Sequence, residues 1–202
     1  MIRAETIVGD VSGLPDHDGG PGSLGWWGTI GLMLIQGMGL VLAIGAYYFL
    51  FPHHDSDQPN QPLPSLLWGS LVAGVAIASE IPNAWTRRRA RQHELRATQT
   101  GLLLITGIGV ALLLLRTLEL AYLDVRWDSN AQGSIIWSLL VLHTAYMAAA
   151  VIGWGLTAAQ SFRTEMTDRR FSAIASSALH WHFIVWSSVA LYLVIDWSPR
   201  LL

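Results

Sequence analysis

Three histidines stand in otherwise apolar sequence: His143 in LLVLHTAYMAAAVIG, and His180 and His182 in SALHWHFIVW. The few other ionisable groups in such surroundings are chiefly Glu80, Arg116 and Glu119. Imidazoles placed this way can do two kinds of chemistry. Two of them on facing helices can ligate a b-type haem axially. Any of them can hydrogen-bond to a facing hydroxyl, carboxylate or backbone carbonyl, which is the plainer of the two readings.

Other chemistry finds little footing. The chain has no cysteine, so disulfides, iron–sulfur clusters, thiolate zinc sites and cysteine nucleophiles are excluded. It has no glycine-rich phosphate loop, no HExxH helix and no serine in a nucleophile elbow. The segment HHDSD, with His53, His54, Asp55 and Asp57, offers nitrogen and oxygen donors to a metal, but a solvated loop explains it as well. A net charge of −2 leaves no electrostatic footprint for nucleic acid.

The elements that must position the histidines follow from composition. With 52% hydrophobic and only 13% charged residues, the 202-residue chain is too apolar for a soluble domain and belongs with integral membrane proteins. Residues 1–23 form a polar tail rich in Gly and Asp, read as solvated and partly disordered, without the basic and apolar regions of a signal peptide. The membrane domain spans residues 24–202. Within it, five apolar stretches approach the ~20 residues that a helix needs to cross the hydrocarbon core: Trp26–Phe51, Pro64–Trp85, Thr100–Leu123, Gly133–Ala159 and Ala173–Trp197. The fold class expected is therefore all-α, a bundle of five transmembrane helices. Trp26, Trp27, Trp68, Trp85, Trp127 and Trp197 lie near span ends, where an indole sits best at the headgroup level.

Arginine orients the spans. Arg87, Arg88, Arg89, Arg91 and Arg96 lie between the second and third, and Arg163, Arg169 and Arg170 between the fourth and fifth. The other two connections, Pro52–Leu63 and Asp124–Gln132, hold only Arg126. The positive-inside bias places the N-terminus and both arginine-rich connections in the cytoplasm, with the C-terminus on the outer, periplasmic face. The implied location is a bacterial inner membrane, crossed several times.

Individual residues can then be placed. The first span is thick with small residues (Gly28, Gly31, Gly37, Gly39, Ala43, Gly45, Ala46), which predicts close packing within the bundle or against another subunit. Its polar residue Gln36 reads as an interhelical hydrogen-bond partner. Glu80 has two readings: a carboxylate that snorkels towards Arg87 or Arg88, or a proton-accepting or interface-pairing group. Arg116 and Glu119, one turn apart, share a helix face and are expected to pair. His143 and His182 both fall near middle depth on antiparallel spans.

At this point a family resemblance is visible. The order of features resembles subunit III of the haem-copper terminal oxidases, the cytochrome c oxidase subunit III family, in its five-helix form, from about Gly25 to Leu193. Trp181-His182-Phe183 matches the family's Trp-His-Phe on the last helix. His143 lies where the family has His-Gly-x-His, Glu119 in LRTLEL resembles the glutamate of its Gln-x-x-Glu-Tyr element, and Gly133-Ser134 is similar too. There are departures. Gln36 stands where the family has a carboxylate, Tyr146 replaces the second histidine, Arg116 the glutamine before Glu119, and Ile184 and Val185 occupy the place of an aspartate.

The resemblance implies an accessory subunit without a redox centre of its own, in a complex that reduces oxygen and translocates protons. It implies as partners the catalytic subunit I, which carries haems and copper, a copper-carrying subunit II and small subunits. It also implies bound phospholipid and support of proton uptake, a role that the lost carboxylates weaken. On this reading His143, His182 and Glu119 form or support a buried polar network, with Trp181 beside it and Arg116, Glu80, Gln36 and Tyr146 as further polar contacts to helices, lipids or subunits. Three alternatives stand beside it: a b-type haem anchor or electron carrier using His143 with His180 or His182, a nitric oxide reductase-associated relative of subunit III, and a transporter using Glu80, Arg116 and Glu119. The absence of a visible internal repeat counts against the last.

Overall fold

The structure, a computed structural model, describes residues 23–50 and 64–201. The expected readings of the polar tail and of HHDSD fall outside these residues. Among the described residues there are helices and no strands. The long helices are α1 (Leu24–Leu50), α2 (Leu66–Arg91), α3 (Leu95–Ala121), α4 (Ala131–Arg163) and α5 (Asp168–Tyr192). After α5 a π-helical turn, Leu193–Trp197, leads into the short α6 (Ser198–Leu201). Among the described residues five helices are long and apolar enough to cross a membrane, the last running from Arg170 to Leu201. By length and composition the chain is a multi-pass membrane protein.

All five predicted spans are present, but their ends move. α2 continues past Trp85 through the arginines to Arg91, so that run is the last turns of a helix and not a loop. Straight-chain arginine is a good helix former, and cations in the last turn complement the helix dipole. The helix stops at Gln92. His93 then takes φ 55, and the N–H groups of His93 and Glu94 return to the carbonyls of Ala90 and Arg89. This is a Schellman closure with a histidine where glycine is usual. The ring of His93 rests edge-on against Phe171, 4.8 Å between centroids, and its Nδ1 lies 3.3 Å from Asp168, so it ties the α2–α3 hairpin to the start of α5.

At the opposite end the α3–α4 connection is tightly built. Asn130 caps α4 by accepting from the Gly133 N–H at 2.6 Å, and Ser134 donates to the Trp127 carbonyl at 2.6 Å. A side chain on Gly133 would run into the Arg126 carbonyl, which is why glycine precedes Ser134 here. Arg126 donates twice to Asp128, at 3.0 and 2.8 Å. That contact holds the Asp128 carboxyl below the ordinary carboxylate range and raises Arg126.

α5 lies in the middle of the bundle, against α1, α2 and α4; α3 closes the ring between α2 and α4. Trp181 is fully buried and Trp154 nearly so, both in the larger of two core clusters. A smaller cluster around Leu40, Tyr47, Leu139 and Leu191 fills the other half. Close helix approach occurs where glycine removes a side chain: Gly101 against Thr86, and Gly109 against Val151 and Trp181.

The glycines of α1 divide between the bundle and its outside. Gly37 meets the Phe183 ring and Gly39 the Tyr146 hydroxyl, but Gly28, Gly31 and Gly45 face open space. α1 touches only one side of the bundle, and Leu34, Ile35, Met38, Val41, Leu42 and Phe49 point outward. Within this chain, then, the tight packing belongs to α2, α3, α4 and α5.

Candidate functional site

α5 presents its polar side chains to all four other long helices, since even residues two apart on a helix point about 200° apart. His180 faces α1, where its Nε2 lies 2.8 Å from Oε1 of the buried Gln36. An amide oxygen only accepts, so that nitrogen carries the proton. His182 faces α2, with Nδ1 2.9 Å from Oε2 of Glu80. Between them Trp181 points inward and donates its indole N–H to Ser79 Oγ at 2.9 Å.

His143 reaches α5 from α4. Its Nε2 lies 3.1 Å from the Ile184 carbonyl and 3.0 Å from Ser187 Oγ, while Ser187 itself donates to the same carbonyl. The carbonyl again fixes the proton on Nε2, and Nδ1 is left buried without a protein partner. One residue on, Ser188 accepts from Arg116 Nη2 at 3.1 Å. Arg116 Nη1 donates to Glu119 Oε2 at 2.8 Å, and both side chains are buried. The expected Arg116–Glu119 pair is thus formed.

The structure brings the predicted residues together only in part. His143, Arg116 and Glu119 meet through Ser187 and Ser188 at one level of the bundle. His182 is not part of that network: it pairs with Glu80 on another face, and half of its side chain is exposed. Glu80, for its part, turns to His182 and Asn83. Tyr146 is partly buried between the two core clusters, its hydroxyl against Gly39. The three imidazoles engage three different helices; an iron bound through Nε2 would displace the partner of His143 or His180, whereas the bond from His182 to Glu80 uses Nδ1.

Several participants were not anticipated. Asp196, on the π-helical turn, is 3% exposed and lies within electrostatic reach of Glu119, Arg116 and Arg200. Its carboxylate packs over Gly69, where a side chain would come within 2.8 Å of Oδ2. Arg200 donates to the Asp196 carbonyl and, at 2.6 Å, to the Pro64 carbonyl, while Tyr192 and Ser70 share a 2.7 Å hydrogen bond beside it. Two arginines and two carboxylates therefore balance near the end of the bundle remote from the arginine-rich connections. Asn83 donates to the Ala178 carbonyl at 3.1 Å, a further α2–α5 tie.

One cleft opens beside this framework. It holds about 270 Å³ between α1, α4 and α5, and is lined by Thr29, Leu32, Gln36, Gly153, Trp154 and His180 among others. Its walls are mostly small or apolar, with the Gln36–His180 pair and the hydroxyl residues Thr29 and Ser177 as polar features. A cleft of this make suits a largely apolar chain. Comparison with known protein families and with curated proteins returns no match for this chain.

Proposed function

We propose that this chain is an accessory, non-catalytic membrane subunit of a respiratory haem-copper oxidase, the part played by subunit III. It sits in a bacterial inner membrane with the arginine-rich end in the cytoplasm. The observation that carries this reading is how the ring nitrogens are used. His143, His180 and His182 each join α5 to, or receive α5 from, a different helix, so the imidazoles act as interhelical fastenings in a framework that holds α5 central. Trp181-His182-Phe183, the run that resembles the family's last-helix signature, supplies the centre of that framework. The α1–α4–α5 cleft is the natural seat for a phospholipid chain.

The test is a mild-detergent pull-down of the full chain from its native membrane, with partners identified and spectra taken of the intact material and of the isolated chain. Co-purification with haem- and copper-carrying subunits and a colourless isolated chain is the expected result. A red isolated chain with a b-type spectrum would overturn it and make His143, His180 and His182 the first ligands to replace.

A further inference from the structure

Two buried nitrogens at one level of the bundle have no hydrogen-bond partner within the protein: Nε of Arg116 and Nδ1 of His143. Every other nitrogen of the two side chains is engaged. Arg116 gives Nη1 to Glu119 and Nη2 to Ser188, and His143 Nε2 meets the Ile184 carbonyl and Ser187. His143 is 0% and Arg116 2% exposed, so bulk solvent and lipid headgroups do not reach either atom. A buried polar group left unpaired forfeits its full hydration.

The two heads converge on one turn of α5. Ser187 and Ser188 are consecutive, and α5 rises only about 6 Å between Ile184 and Ser188, at ~1.5 Å per residue. The imidazole lies within electrostatic reach of the guanidinium. What can serve both atoms follows from their chemistry. Arg116 Nε–H only donates; with the ring proton held at Nε2 by the Ile184 carbonyl, His143 Nδ1 only accepts. A ligand that accepts from one and donates to the other, and is small enough for so deep a site, is water. This choice does not turn on the ring's protonation, because water would accept from an Nδ1–H as readily. Ser188 Oγ, which takes a bond from Arg116 Nη2, has an O–H to give and completes the roughly three partners usual for a buried water. Glu80 Oε1, Asn83 Oδ1 and Arg87 Nε form a comparable set on α2, but Glu80 and Arg87 are only partly buried, so that set is not sealed as this one is.

We infer that Arg116 and His143 hold an internal water between them, one molecule or a hydrogen-bonded pair, that accepts from Arg116 Nε and bonds to His143 Nδ1. The water joins α3 to α4 at a level where Arg116 and His143 share no direct hydrogen bond. It makes Glu119, Arg116, His143 and Ser187 one continuous hydrogen-bonded chain across three helices. The site needs no partner subunit, so it stands apart from the function proposed above.

The test is a structure of the full-length protein, purified in its native assembly, at a resolution that shows ordered water. The expected result is a density peak about 2.7–3.2 Å from Arg116 Nε that reaches His143 Nδ1 directly or through a second peak. A direct Nε–Nδ1 contact, a gap without density, or a peak that bromide replaces, which marks an anion, would each overturn the inference. Nuclear magnetic resonance supplies a second readout on the unaltered chain. With isotope-labelled arginine and histidine, the Arg116 Nε–H and the His143 ring should both show Overhauser contacts to a long-lived water, and the lack of either contact contradicts the bridge. His143→Phe, which removes Nδ1 and keeps an aromatic ring, should weaken the water contact at Arg116 Nε–H several-fold. An unchanged contact in that variant would show that the water is held without His143.

Discussion

The indole N–H of Trp181 lies 2.9 Å from Oγ of Ser79, and Ser79 passes its own proton to the Ala76 carbonyl at 2.6 Å. One serine hydroxyl thus accepts and donates at the centre of the α2–α5 contact, with both residues fully buried. Replacing Ser79 by Ala leaves the indole donor unsatisfied, at a cost of about 1–3 kcal/mol. Trp181→Phe together with Ser79→Ala removes both polar groups, so the serine change should cost less in the Phe background than alone. Thermal unfolding of the four proteins in one detergent measures this coupling; equal effects in both backgrounds would deny it.

Gly109 and Gly107 lie two residues apart on α3 but meet different surroundings. A methyl group at Gly109 would come within 2.6 Å of Val151 and 3.2 Å of Trp181, whereas at Gly107 it would touch nothing. Gly109→Ala should destabilise by about 1–3 kcal/mol through overpacking. Gly107→Ala should be neutral or gain up to ~1 kcal/mol of helix propensity. Melting temperatures falling and rising in that order check the claim.

Arg116 and Glu119 are 3% and 8% exposed at the side chain, so each neutralises a charge that has no access to bulk water. Arg116→Leu strands the Glu119 carboxyl and should cost about 3–5 kcal/mol, while Arg116→Leu with Glu119→Leu should recover much of that loss. Denaturation midpoints for the single and double replacements decide it, additive losses being the outcome that contradicts a buried pair.

His93 adopts φ 55 at the end of α2. His93→Asn, a residue tolerant of that conformation, should change stability little, whereas the β-branched His93→Val should lose about 1–2 kcal/mol. Proteolysis of the α2–α3 hairpin in detergent is a direct measurement, the valine variant being cut faster.

Much of this was legible in the sequence. Length and apolarity were enough for five helices, and the three-residue spacing of Arg116 and Glu119 was enough for their pair. That His180 and His182 meet different neighbours was also available, since residues two apart cannot share one face of a helix. The partnership of His182 with Glu80 was not, because it depends on which helix lies on which side of α5. Asp196 was hidden for another reason. It stands one residue before Trp197, where a carboxylate reads as interfacial, and only the continuing helix turns it inward over Gly69. Arg200, four residues further on, was the available signal. The arginine run misled the boundary of α2 because charge marks the edge of the membrane, not the end of a helix.

The π-helical turn at Leu193–Trp197 has a consequence for descent. Such a turn is an ordinary helix holding one residue too many, accommodated as a bulge without disturbing the turns on either side. The last span therefore need not have the same residue count in every relative. A homologue lacking the bulge would keep Arg200 over Pro64 with one residue fewer, and it would align with this chain only across a single gap between positions 193 and 197. A gapless alignment would set the carboxylate of Asp196 against the wrong neighbour in that homologue.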